Sequence, residues 1–93
     1  MTEQQIQKKI IKYLESRGCY VVKVVTATKS GVPDIIGCYE GIFFAIEVKT
    51  PATARNVSKL QEYNLDKIRD ADGHSLVAWS LEQVEAFIGG LLL

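Results

Sequence analysis

Asp34-Ile35-Ile36-Gly37-Cys38-Tyr39-Glu40-Gly41-Ile42-Phe43-Phe44-Ala45-Ile46-Glu47-Val48-Lys49 is the stretch whose reading decides the fold. Asp34–Tyr39 and Ile42–Val48 are two β-prone runs, and Glu40-Gly41 between them is a short turn in which glycine supplies a positive φ. If those two residues are the whole loop, Tyr39 pairs with Ile42, and counting back sets Asp34 opposite Glu47. Directly opposed residues have Cβ atoms about 5 Å apart, close enough for two carboxylates to hold one cation. Lys49 lies two residues beyond Glu47, on the same face and roughly 6.5 Å along the strand. Two acids and a base thus converge at the end of an apolar hairpin, the arrangement of a metal site. The plainer alternative is a turn-capping Asp34 beside a Glu47–Lys49 ion pair on a wet strand face. It fits less well, because Ile42 to Ile46 and Val48 are apolar on both faces, as in a central strand covered on both sides. Charges there are costly unless paired or bound to metal.

Outward from the hairpin, residues 3–17 read as an amphipathic helix with Thr2 as N-cap and Gly18 as stop signal. Ile6, Ile10, Tyr13 and Leu14 form its apolar stripe, and Glu3 falls on the same inward face. Residues 20–25 are a β-branched strand, and a polar loop from Thr26 to Gly31 leads into the hairpin. Thr50 to Asn56 is a second loop. Residues 57–71 form a helix with Val57, Leu60, Leu65 and Ile68 as apolar positions, ended by Gly73. Ser75–Trp79 is a fourth strand and Leu81–Ile88 a short final helix. The fold class is α/β: an αβββαβ core with a mixed four-stranded sheet flanked by helices, plus the short C-terminal helix. Residues 1–93 make one domain. Gln61 lies on the buried stripe of its helix, where a metal-bound water, an active-site lysine or the backbone at the helix start would satisfy it. His74 reads as a turn residue, and Trp79 and the tyrosines and phenylalanines as core packing.

The chain is 47% hydrophobic and 24% charged with a formal net charge of zero, so it is no polycation and any nucleic-acid contact must come from a local patch. Cys19 and Cys38 show no metal-ligand spacing and read as reduced thiols of an intracellular protein. No signal peptide precedes the first helix, and no apolar run approaches the ~20 residues that span a bilayer. The expectation is a soluble protein of the cytoplasm (the host cytoplasm if phage-encoded).

Pro33-Asp34 followed by Glu47-x-Lys49, with three strands, a helix and a strand around them, resembles the PD-(D/E)xK nuclease superfamily. Glu3 at the head of the first helix, Gly31-Val32-Pro33-Asp34, Ile46-Glu47-Val48-Lys49 and Ser58-x-x-Gln61 resemble more narrowly the VRR-NUC (virus-type replication-repair nuclease) family, from about Glu3 to Glu82. The resemblance implies a restriction-endonuclease-like fold and phosphodiester hydrolysis. Asp34 and Glu47 match the metal-binding carboxylates, the carbonyl of Val48 a further ligand, Lys49 the motif lysine, Gln61 the helix glutamine and Glu3 the helix-one acid. The loop Thr50-Pro51-Ala52-Thr53-Ala54-Arg55 departs from the Gly-rich, basic stretch common in relatives.

An oxygen donor set of this kind suits Mg²⁺ or Mn²⁺, and nothing in the chain suits Zn²⁺. Such a cation supplies an activated water and offsets charge on the phosphate. Lys29, Ser30, Arg55 and Lys59 flank the expected pocket, where phosphate contacts are usual. With no helix-turn-helix, zinc finger or basic arm, the expected substrate is structured DNA such as four-way (Holliday) junctions, cut by a homodimer in replication, repair or recombination. Gly89-Gly90-Leu91-Leu92-Leu93 is a candidate for the dimer contact. The alternatives are restriction-type or exonuclease activity on the same centre, or a catalytically silent DNA-binding module.

Overall fold

A computed structural model describes residues 1–93. Its elements are α1 (Glu3–Ser16), β1 (Tyr20–Lys23), β2 (Ile35–Tyr39), β3 (Ile42–Val48), α2 (Lys59–Asp70), β4 (His74–Ala78) and α3 (Leu81–Gly90). The sheet order is β1-β2-β3-β4. The first three strands are antiparallel and β4 runs parallel to β3. This is the mixed four-stranded α/β arrangement expected from the sequence.

The hairpin turn fixes the register. Glu40 (φ 52°) and Gly41 (φ 83°) both occupy the left-handed region, the backbone of a two-residue type I′ connection. Tyr39 pairs with Ile42, and the ladder runs back to Ile35 opposite Ile46. Ile35, Phe44, Ile46 and Val48 therefore share one face of the sheet. They pack against Ile6, Ile10 and Leu14 of α1 and Val84 and Ile88 of α3. Each such fully buried side chain contributes about 1.5–3 kcal/mol. Ala45, Glu47 and Lys49 alternate onto the opposite face, where α2 packs through the buried Leu65. There the Ser75 hydroxyl donates to the Leu65 carbonyl at 2.9 Å, tying β4 to α2.

All three helices start with the same local code, a Ser or Thr followed three residues later by Gln. Thr2/Gln5, Ser58/Gln61 and Ser80/Gln83 each form a full capping box, satisfying donors at the helix start that have no intrahelical partner. At the other end of α1, the Arg17 guanidinium donates to the hydroxyls of Tyr13 (3.1 Å) and Tyr39 (3.2 Å), joining the helix to the hairpin.

Several boundaries and environments differ from the sequence reading. β1 stops at Lys23 because its last rung is Val24 N–H to the Asp34 carbonyl (2.8 Å), beyond which β2 offers no partner. α2 begins at Lys59, with Val57 outside it and Leu60 47% exposed. His74 is the first residue of β4, opposite Phe44, rather than a turn residue. Trp79 falls outside β4, between the strand and the Ser80 cap. The aromatic residues are not uniformly core. Phe44 is fully buried, whereas Tyr20, Tyr63, Phe43 and Trp79 are exposed. Leu91 packs on the core, but Leu92 and Leu93 are exposed. Both cysteines are free thiols. No helix is long and apolar enough to cross a membrane.

Gly37 records how tightly the sheet is packed. A Cβ built there would meet the Phe44 ring and the Tyr20 carbonyl oxygen, both at 2.6 Å. Gly37→Ala is therefore expected to destabilise the protein by roughly 2 kcal/mol through overpacking. Urea unfolding monitored by circular dichroism measures it, and an unchanged midpoint would contradict the packing described here.

Candidate active site

The register that places Ile35 opposite Ile46 brings Asp34 and Glu47 together at the end of the sheet. Asp34 is held by its own hairpin: its Oδ2 accepts from the Val48 backbone N–H at 2.7 Å. Glu47 and Lys49 are both buried, 3% and 8% exposed, a placement unlike that of strand-face charges in water. The Lys49 ammonium lies 4.0 Å from Glu47 Oε2. Lys49 is anchored in turn by its backbone N–H, which donates to the Ala78 carbonyl at 2.9 Å.

Gln61 reaches the same carboxylate; the backbone reading of it is realised, and its second partner is Glu47 rather than a lysine or a bound water. Its Oε1 accepts from Ser58 N–H (2.9 Å) in the capping box, while its Nε2 donates to Glu47 Oε2 (3.3 Å). One amide therefore starts α2 and orients a buried acid.

Burial, the adjacent Asp34 carboxylate and a hydrogen bond to it push the Glu47 carboxyl up to about 8, against the weaker opposing pull of Lys49. Glu3, half-buried at the head of α1, adds a small push in the same direction. Two acids held this close without enough positive charge form a pair whose repulsion a cation between them would relieve. Donors that are all hard oxygen atoms fit Mg²⁺ or Mn²⁺ better than a softer metal. No three His, Cys, Asp or Glu side chains converge, so Glu3 stands outside the Asp34–Glu47 pair. Two carboxylates with room for waters still match the habit of Mg²⁺.

The expected DNA contacts are scattered. Arg55 and Lys59 are exposed in the loop after β3 and at the start of α2. Lys29 lies elsewhere, lining a hollow of about 440 Å³ with Phe43, Asn64, Lys67 and Gly73. The loop is drawn down α2 because Gly31 sits against Leu60 and the Asn64 amide donates to the Ser30 carbonyl at 3.0 Å. Lys29 and Ser30 thus follow α2 toward its C-terminal half, away from Gln61.

Two features escaped the sequence reading. Thr50 and Thr53 exchange hydrogen bonds of 2.9 to 3.2 Å, closing the loop directly after Lys49; the Thr-x-x-Thr spacing was the available signal. Gln7, one turn after Glu3, is 7% exposed, and its Oε1 has no hydrogen-bond partner. Its position on the stripe with Ile6 and Ile10 could have revealed it.

Because the folded state binds the Glu47 proton more tightly than the unfolded chain, this group's contribution to stability is full below about pH 4.5 and is lost as pH rises through about 8. The metal-free protein is expected to melt at a lower temperature at pH 8.5 than at pH 6, and Mg²⁺ or Mn²⁺ should restore the loss. Thermal melts in EDTA and in divalent cation measure this. A melting temperature that rises from pH 6 to pH 8.5 in EDTA would exclude the buried acid pair as its controlling group.

A mixed sheet carrying opposed acids and a lysine at its end defines a nuclease fold of the PD-(D/E)xK type. Residues 3–89 match the family described as archaeal Holliday junction resolvase (Hjc), and the chain belongs to that family. Membership makes it a resolvase-type endonuclease, in a family that acts on branched DNA. The fold also superposes on a solved VRR_NUC domain with a TM-score of 0.80 and 24% identity, covering 98% of this chain and 99% of the other. A second similar structure is Hjc from Archaeoglobus fulgidus, a Holliday junction resolvase from an archaeal hyperthermophile. There the TM-score is 0.56 and the identity 18%, over 83% of this chain and 67% of the other. No curated protein matches the sequence significantly.

Proposed function

We propose that this chain is a Mg²⁺- or Mn²⁺-dependent endonuclease that cuts four-way DNA junctions as a homodimer, with Asp34, Glu47, Lys49 and Gln61 as its working residues. The observation that carries this reading is the buried Glu47, opposed by Asp34, approached by Lys49 and held by Gln61. Asp34 and Glu47 would hold the cation, with the Val48 carbonyl beside them. The cation supplies an activated water and offsets charge on the phosphate. Lys49 orients the attacking water and adds positive charge next to the phosphate. Gln61 keeps the Glu47 carboxylate from rotating, and Glu3 contributes negative charge from the edge of the site. Arg55 and Lys59 at the mouth, with Lys29 and Ser30 along α2, contact the DNA backbone.

Paired cuts in a junction require two centres, and each chain carries one. At the Leu-rich end Leu92 and Leu93 are exposed, and a broader apolar surface lies on the sheet. α2 covers only part of its face of the sheet, leaving Tyr20 (72% exposed), Val22 and Phe43 in the open, with Ile36 and Cys38 half-buried beside them. An apolar sheet face flanked by an edge strand suits a two-fold contact with a second copy.

Two experiments test the proposal. Labelled junction, flap and linear duplex DNA, incubated with Mg²⁺, Mn²⁺ or EDTA, should show metal-dependent cutting of branched forms. Asp34→Asn and Lys49→Ala should each lower the rate at least ~100-fold, the scale of losing a positioned catalytic group. No cutting by folded wild-type protein in either metal would sink the enzyme. Sedimentation should give a dimer at micromolar concentration and a monomer for Tyr20→Glu, which should nick junctions without paired cuts. A dimeric Tyr20→Glu protein would place the contact elsewhere.

A further inference from the structure

Lys29, from the loop before β2, and Lys67, from α2, line one hollow of about 440 Å³. Neither is paired: the ion pairs of the chain are Lys49–Glu47 and Arg69–Asp66. Asp72 is the single acid of the lining, so the hollow carries a net positive charge on a chain whose formal charges sum to zero. The place of Lys29 is fixed by its neighbours. The Asn64 amide donates to the Leu60 carbonyl of its own helix (2.9 Å) and to the Ser30 carbonyl (3.0 Å), and Gly31 sits against Leu60.

The hollow lies on the sheet face to which Glu47 and Lys49 point, and two of its walls can be measured from Glu47. Along α2, Gln61 touches Glu47 Oε2 at 3.3 Å, and Lys67 follows six residues later, about 9 Å further along the helix axis. Along β3, Phe43 precedes Glu47 by four residues on the same face, about 13 Å away. A DNA strand advances about 3.4 Å per nucleotide along its axis, so this interval spans about three to four nucleotides. Phe43 also belongs to the open apolar face. A strand running from the acid pair to the hollow therefore runs toward the surface proposed for the second copy.

We propose that the hollow holds one backbone phosphate of the cut strand, about three to four nucleotides from the scissile bond, on the Lys29 and Lys67 ammonium groups. The inference rests on the nuclease reading and gives it a second fixed point. A strand gripped only at the acid pair is free to pivot, and a second phosphate contact sets its direction without reading any base. Lysines meet phosphate oxygens as point charges, so the contact tolerates every sequence.

Binding of a labelled four-way junction in EDTA, followed by fluorescence anisotropy over a range of salt concentrations, tests the site. Lys29→Gln and Lys67→Gln should each flatten the slope of log K against log salt by about 0.9, and the double variant by about twice that. Lys12→Gln, exposed on α1, should leave the slope unchanged. Asp72→Asn should act in the opposite sense and tighten binding about two-fold, by removing the acid that shares the hollow. Asp72 has φ 66°, a conformation that asparagine also adopts, so this variant keeps the backbone. A neutral methylphosphonate three or four nucleotides from the cut should weaken binding to wild-type protein and leave binding to the double variant unchanged. A Lys67→Gln protein with a lowered melting temperature and an unchanged salt slope would make Lys67 a helix-end residue and overturn the site. A double variant that cuts junctions with the wild-type slope overturns the phosphate site alone. Protein that neither binds nor cuts any branched DNA overturns the nuclease reading and the site with it.

Discussion

The two-residue turn at Glu40-Gly41 constrains everything the site needs. With both residues in the left-handed region, no slack remains between Tyr39 and Ile42, and the pairing is carried without a bulge to Ile35 and Ile46. A slip of one residue would move every β3 side chain to the other face. Phe44, Ile46 and Val48 would leave the α1/α3 core, and Glu47 and Lys49 would enter it. The apolar alternation that buries the core and the register that opposes the two acids are therefore one constraint. The hydrogen bond from Val48 N–H to Asp34 Oδ2 closes it at the far end.

Gln61 shows how the fold and the chemistry share parts. Its side chain holds the start of α2 with one atom and Glu47 with the other. Glu47 is buried in a position that favours its neutral form, and of its neighbours Lys49 is the one whose charge favours the ionised form. Sites of this kind trade stability for function, since the groups that make them useful are uncomfortable when left alone.

The hairpin, the acid pair and the helix starts at Thr2 and Ser58 were legible because each rests on short-range rules: turn length, period-two alternation and the N-cap preference for Ser or Thr. What stayed hidden depends on where elements come to rest against one another. Lys29 reads as a neighbour of the pocket until Gly31 on Leu60 and Asn64 on Ser30 pull its loop down α2. Tyr20 and Phe43 have the spacing of buried strand residues, and only the position of α2 over part of the sheet leaves them open. Trp79 sits one residue past the last rung of β4, a distance at which periodicity carries no information about exposure.

The repeated capping code has an electrostatic side. The first turn of α2 carries Gln61 to Glu47, α3 starts just after β4 at the same end of the sheet, and the head of α1 lies close enough for Glu3 to be felt at Glu47. Three helix axes thus direct their partial positive poles toward one end of a molecule whose formal charges sum to zero. Each pole is worth about 0.3–1 kcal/mol to an anion close by, and it fades within a turn of helix. The chain is in this sense polarised without being basic. The three partial poles face the end that holds the acid pair, where they offset part of the negative charge that Asp34 and Glu47 bring together.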